Sequence, residues 1–229
     1  MSQRDLRTLA ELAGAELEGA HPTEVLRWAG ETFGDRFAIT SSMGDAVLTS
    51  LAAEAVPGIR VIFLDTGYHF PQTLQTRDRV AAELDVEVIS VRPRLTVAEQ
   101  NVEYGQSLYG RNPDLCCSMR KVEPLNRVLR GYQAWGSGIR RDESPSRANT
   151  PVVGWDSRRG MVKVNPLAGW TQSDVDAYAA ERGVIVNPLV EMGFPSIGCA
   201  PCTQRVAPGE DARAGRWVGN SKTECGLHV

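Results

Sequence analysis

Apolar residues recur at three- and four-residue steps near the start of the chain. Leu6, Leu9, Ala10, Leu12, Ala13 and Leu17 predict an amphipathic helix over about residues 5–20. A second helix is predicted over 22–33, with Pro22 in its first turn and Gly34 past its end. The pattern then shortens. Phe37-Ala-Ile-Thr40 reads as a buried strand that passes through Ser41-Ser42-Met43-Gly44-Asp45 into a helical run over 46–55. A second strand over 60–64 ends in Asp65-Thr66-Gly67-Tyr68, and a helix over 71–84 and a strand over 86–91 follow. A short helix is expected over 97–108. The run from Cys116 to Leu125 opens or precedes a helix that reaches about Leu129. Strands are expected within 133–139 and over 161–166. Thr171-Gln172-Ser173-Asp174 has the form of a capping box for a helix that stops at Gly183. Beyond Asn187 the chain is rich in Pro and Gly.

Strands that alternate with helices predict an α/β fold, a mostly parallel twisted sheet with helices on both faces. In such sheets ligands bind beyond the carboxyl ends of the strands. The 41–45 loop, the 65–68 loop and the basic stretch at Arg140-Arg141 all follow predicted strands.

The length, 229 residues, suits one domain with small appendages. With 42% hydrophobic and 23% charged residues, the chain can bury a core without disulfide staples. A net charge of -3 gives no field that would attract nucleic acid. Cations do cluster locally, at Arg140-Arg141, Arg147, Arg158-Arg159 and Arg213/Arg216, which suits a small anion held in one place. No run of about eighteen apolar residues predicts a membrane span, and the N-terminal residues lack the apolar stretch of a signal peptide. A cytoplasmic location is therefore expected. There, clustered cysteines act as metal or redox groups more often than as disulfides.

Five cysteines are present, and four pair by spacing: Cys116-Cys117 and Cys199-Ala200-Pro201-Cys202. Adjacent cysteines do not form an unstrained disulfide with each other. The C-x-x-C spacing serves both zinc and iron–sulfur centres, and spacing alone leaves both open. The fifth, Cys225, lies in a tail, Lys222-Thr-Glu-Cys225-Gly-Leu-His228, that follows Gly215 and Gly219. A thiol with the ordinary pKa of about 8.5 is only about 3% thiolate at neutral pH, so a nucleophilic cysteine needs cations around it. Lys222 and His228 are beside this one, with Arg213 and Arg216 in reach if the tail folds back. The 41–45 loop between a strand and a helix is a candidate anion cradle, or equally an ordinary turn with a serine cap.

Taken together, several motifs resemble the cluster-bearing branch of the adenylyl-sulfate reductase family. They are Cys116-Cys117-x-x-Arg120-Lys121, Gly138-Ile-Arg-Arg141-Asp, Cys199-x-x-Cys202, Gly209-Glu-Asp-x-Arg213-Ala-Gly-Arg216-Trp217 and Lys222-Thr-Glu-Cys225-Gly-Leu-His228. The resemblance implies an adenine nucleotide α-hydrolase-like (Rossmann-like) fold with a flexible C-terminal tail. It implies a nucleotide-binding domain over 1–202 and a catalytic segment over 203–229. It implies reduction of adenosine 5′-phosphosulfate to sulfite and AMP, or alternatively of the 3′-phosphorylated form. In that chemistry Cys225 is the nucleophile, and thioredoxin or glutaredoxin is the electron donor. A [4Fe-4S] cluster is implied on Cys116, Cys117, Cys199 and Cys202. Lys121, Arg213, Arg216 and His228 match the sulfate end. Ser41, Ser42, Asp45, Leu64, Thr66, Gly138, Arg140 and Arg147 match the nucleotide side. Members of the family are often dimers or tetramers, so a homo-oligomer is implied. Two departures from the family pattern are visible: the 41–45 loop holds one glycine, and Glu143 stands where many relatives have Gln.

Overall fold

The computed structural model describes residues 1–227. Helix α1 (Gln3–Glu16) starts at Ser2, whose side chain and that of Asp5 cap each other's backbone N–H groups. Helix α2 (Pro22–Phe33) follows, with Pro22 in the first turn, where its missing N–H leaves no bond unmade. Then β1 (Phe37–Thr40), α3 (Val47–Ala55), β2 (Ile59–Leu64), α4 (Pro71–Glu83) and β3 (Val86–Val91) alternate as the apolar pattern predicts. Next come α5 (Val97–Tyr104), α6 (Leu108–Arg111), α7 (Pro113–Cys117), α8 (Glu123–Val128), β4 (Ala134–Gly136), β5 (Val153–Asp156), β6 (Met161–Val164) and α9 (Gln172–Arg182).

The six strands stand in the order β3-β2-β1-β4-β6-β5. All neighbours are parallel except β5, which runs antiparallel to β6. The chain builds outward from β1 in one direction through β2 and β3, and in the other through β4 and β6. The crevice beyond the carboxyl ends of β1 and β4 is therefore the switch point at which such sheets take ligands.

The two faces are covered unequally. On one, Phe37, Ile39, Val61, Phe63, Val162 and Val164 pack with residues of α1, α2, α3, α4 and α9. On the other, Ala38, Ile62, Trp135 and Met161 meet Leu125 of α8, Leu129 and, from the tail, Leu227. No helix among the described residues is long and apolar enough to cross a membrane.

Two local differences from the sequence reading have physical causes. The helix expected over 97–108 ends at Tyr104, because Gly105 takes a φ of +77° and Arg111 bonds the Tyr104 and Gln106 carbonyls. The paired cysteines close α7 and precede the next helix, as the sequence predicts. A widened turn over Ser118–Val122 then leads into α8, where Pro124 needs no donor. The edge strand β5 was not anticipated. It is one arm of a hairpin whose turn ends at Gly160, with φ +64° and an N–H bonded to the Asp156 carbonyl at 2.8 Å.

Candidate active site

The end of α7 delivers Cys116 and Cys117 to one side of a cavity, and the tight turn Cys199–Cys202 delivers the other two thiols. Tyr68, Tyr109, Pro113, Arg120, Lys121 and Trp217 complete the lining. The turn is anchored through the Ala200 N–H on the Tyr68 carbonyl (2.7 Å) and the Thr203 hydroxyl on the Cys199 carbonyl (3.0 Å). The buried Thr66 hydroxyl meets the Cys199 sulfur at 3.3 Å. Arg120 is 2% exposed and ties the wall together. It donates to the Thr66 carbonyl and to Gln100 Oε1, both at 2.7 Å, and lies 5.0 Å over the Tyr68 ring.

Burial, and then the neighbouring sulfurs, push the Cys116 thiol up to about 12 and the Cys202 thiol up to about 11. Four desolvated thiols around one cavity fit a cationic centre, which is what makes thiolates tolerable there. Among the described residues no group of three or more His, Cys, Asp or Glu side chains is arranged around a single metal ion.

The tail folds back along this wall. Lys222 pairs with Asp114 just ahead of the paired cysteines. Arg213 donates to the Thr223 carbonyl at 2.7 Å, and Arg159 to the Leu227 carbonyl at 3.1 Å. Cys225 is thereby half-buried within electrostatic reach of Lys121 and Arg216. Burial pulls the Lys121 pKa down, but Cys199, Cys225 and Cys117 outweigh it and hold the ammonium above its ordinary value. Burial and the neighbouring Arg213 draw Arg216 down, against the pull of Cys225, Cys199 and Cys202. Arg216 donates to the Ser196 hydroxyl at 3.1 Å and lies 4.5 Å over the Trp217 ring. Gly198 permits this seat, since a Cβ there would stand 2.2 Å from Arg216 Nη2.

On the strand-end side, Ser41 Oγ accepts from the Met43 N–H at 3.2 Å, and Ser42 is exposed. Asp45 accepts from the Val47 N–H at 3.0 Å, and burial raises its pKa. Leu64 ends β2. Gly138 meets Leu48 and Leu167, where a Cβ would find ordinary contacts of 3.7–3.8 Å. Arg140 is held by Asp142 (3.0 Å) and Gln172 (2.6 Å). Arg147 is held by Glu143 (2.5 Å) and, through two bonds of 3.0 and 2.8 Å, by Glu224 of the tail.

Ser41, Asp45, Leu64, Gly138 and Arg140 thus gather near the switch point. Lys121, Arg213, Arg216, Cys225 and the four paired cysteines gather around the cavity and tail. Thr66 turns its hydroxyl to the cysteine side. His228 lies outside the described residues. Sequence reasoning passed over Tyr68, Tyr109, Trp217 and Glu224. Tyr68, Trp217 and Glu224 lie inside the runs 65–68, 209–217 and 222–228, which stand out for other residues, whereas Tyr109 carries no signal in the sequence. A second cavity of about 230 Å³ lies beside the tail, lined among others by Trp135, Trp155, Asp156, Arg159, Lys163 and Leu227.

The fold and these residues have known counterparts. The family model described as the phosphoadenosine phosphosulfate reductase domain matches residues 36–205. The chain is 63% identical to an adenosine 5'-phosphosulfate reductase of Streptomyces coelicolor, over 98% of this chain and 95% of the relative. It is 54% identical to one of Mycolicibacterium smegmatis, over 100% and 97%. Among solved structures, a phosphoadenylyl-sulfate (PAPS) reductase from Candida auris in a phosphate complex superposes with a TM-score of 0.73. It has 30% identity and covers 86% of this chain and 96% of that one. An FMN adenylyltransferase of Candida glabrata shares the fold alone, at 13% identity and a TM-score of 0.56 over 87% of this chain and 75% of that one. The adenine nucleotide α-hydrolase-like layout expected from the sequence is the layout observed, and the chain belongs to the phosphoadenosine phosphosulfate reductase domain family.

Proposed function

We propose that this protein reduces adenosine 5′-phosphosulfate to sulfite and AMP through an S-sulfonate on Cys225. The observation that carries the reading is the seat of Cys225, a half-buried thiol held by the tail within reach of Lys121 and Arg216. The names of the bacterial relatives at 63% and 54% identity support the same substrate.

The Cys225 thiolate attacks the sulfate sulfur. A new S–S bond forms, and the bond from that sulfur to the bridging oxygen breaks. The electron pair leaves with AMP. A thiol of thioredoxin then attacks Cys225 Sγ, and sulfite departs with the S–S electron pair. The second thioredoxin thiol closes its disulfide and returns Cys225 as a thiol. The electrons come from the donor dithiol. The chief obstacle is bringing an anionic nucleophile to an anionic substrate, and fixed cations offset it where charge gathers. We assign Lys121, Arg213, Arg216 and His228 to the sulfate end. Ser41, Ser42, Asp45, Leu64, Gly138 and Arg140 line the nucleotide path at the switch point. Residues 1–202 carry the nucleotide and cysteine sites, and 203–229 carry the nucleophile.

Cys116, Cys117, Cys199 and Cys202 would hold a [4Fe-4S] cluster. A centre with one thiolate per iron spreads its ligands, whereas a zinc ion draws four sulfurs to about 2.3 Å from one point. Such spreading suits two adjacent cysteines at a helix end. When bound, the cluster supplies electrostatic and structural support beside Lys121, and Cys225 performs the chemistry.

The 3′-phosphorylated substrate is the second reading. Its extra phosphate needs added cations near the ribose, but Arg140 and Arg147 are already bonded to carboxylates, which favours the simpler nucleotide. The test is release of AMP and sulfite with reduced thioredoxin. The Cys225→Ser protein should keep its iron and release no sulfite, and normal turnover in that variant would refute the assignment.

A further inference from the structure

Arg147 matches a nucleotide-side position of the family, yet each of its three guanidinium nitrogens already donates to a carboxylate. Nε and Nη2 go to the two carboxylate oxygens of Glu224, and Nη1 goes to Glu143. The other oxygen contact of Glu224 is with Arg213, at 3.3 Å. The side chains concerned are 10%, 15% and 17% exposed for Arg147, Glu224 and Arg213, so these charges meet away from bulk water. Two carboxylates around one guanidinium leave it without attraction for an anionic substrate. The same arrangement gives a strong, directional grip on the tail, because bidentate arginine–carboxylate pairs fix geometry as well as energy.

We infer that Glu224 is a positioning residue: it latches the tail to Arg147 and Arg213 and so sets where the neighbouring Cys225 stands, and Arg147 serves this latch instead of the nucleotide. The other tail contacts do not fix the thiol in this way. Lys222 reaches the exposed Asp114, and the bonds at Thr223 and Leu227 use carbonyl oxygens that any residue would supply. Glu224, one residue from the thiol, joins the tail by side-chain charge to Arg147 of the body and to Arg213 earlier in the C-terminal segment.

The inference rests on the proposed role of Cys225, and its test has one arm that does not. In that arm the iron-loaded protein without substrate is followed by hydrogen exchange over residues 218–227. Glu224→Gln and Arg147→Gln should each speed exchange there by about tenfold or more, since each removes the paired, charge-assisted bonds between Arg147 and Glu224. The double variant should be no faster than either single one. In the other arm, single-turnover formation of the Cys225 adduct is timed, and AMP affinity is measured beside it. Both single variants should slow the adduct by about tenfold or more, while AMP affinity stays within about twofold, because geometry of attack and not nucleotide binding is lost. Exchange or adduct rates at the wild-type level in Glu224→Gln would overturn the latch. So would AMP affinity falling in step with the rate in Arg147→Gln, or effects that add. If the wild-type protein forms no adduct, the proposed function fails, and the exchange arm still decides the latch.

Discussion

Gly198→Ala tests the seat of Arg216 without touching a charge. Gly198 has no left-handed φ, so its backbone accepts alanine. The added Cβ would lie 2.2 Å from Arg216 Nη2, 2.6 Å from Cζ and 3.2 Å from Nε. To reach the 3.4 Å at which ordinary contact begins, the guanidinium must move by about 1.2 Å. That movement breaks the 3.1 Å bond to Ser196 and disturbs the stack on Trp217. Overpacking costs about 1–3 kcal/mol, and the stiffer unfolded chain returns about 0.4–1 kcal/mol. The net loss is at most about 2.5 kcal/mol, a fall in Tm of less than about 10 °C for a chain of this size. Catalysis should suffer far more, because misplacing a group by about 1 Å costs on the order of 100-fold. The assay is calorimetry followed by single-turnover adduct formation at 25 °C, where the variant remains folded. A rate within about threefold of wild type in a folded variant would refute the role given to Arg216.

Two further outcomes are expected. His69 is half-buried against Phe63, with Nε2 2.9 Å from the Leu64 carbonyl, and loss of hydration holds its pKa below the ordinary histidine value. The unfolded chain therefore binds the proton first on acidification, and stability that is complete above about pH 6.5 falls as the pH drops below it; Tm measured from pH 7.5 to 5 should slope less in His69→Gln. Cys202→Ser should lose iron and acid-labile sulfide together, read by metal and sulfide analysis, and a wild-type protein with one zinc and no sulfide would contradict the cluster.

The parallel part of the sheet was legible because its strands are apolar runs that alternate with helices, and the helices on either side of it in the chain start at clear signals, Pro22 and Thr171. The strand β5 was not, since Val153–Asp156 acquires its partner only through the hairpin with β6. The convergence of the cysteines was readable as pairing, because C-C and C-x-x-C are local patterns. What no spacing revealed is the packing between distant segments. Thr66 is drawn to Cys199, 133 residues away, and Arg147 to Glu224, 77 residues away. A cluster of basic residues reads as an anion site, and only the folded chain reveals that one of its arginines is already filled by the protein's own carboxylates. Tyr109 reaches the cavity wall through an edge contact with Tyr68, which no periodicity encodes.

The central claim is tested most directly by mass. The protein is purified without oxygen, reduced, freed of reductant and exposed to adenosine 5′-phosphosulfate, with the 3′-phosphorylated nucleotide in parallel. The account predicts a single sulfonate adduct that maps to Cys225 and is released as sulfite by reduced thioredoxin, with the simpler nucleotide reacting faster. Iron-loaded protein that forms no adduct with either nucleotide would contradict it.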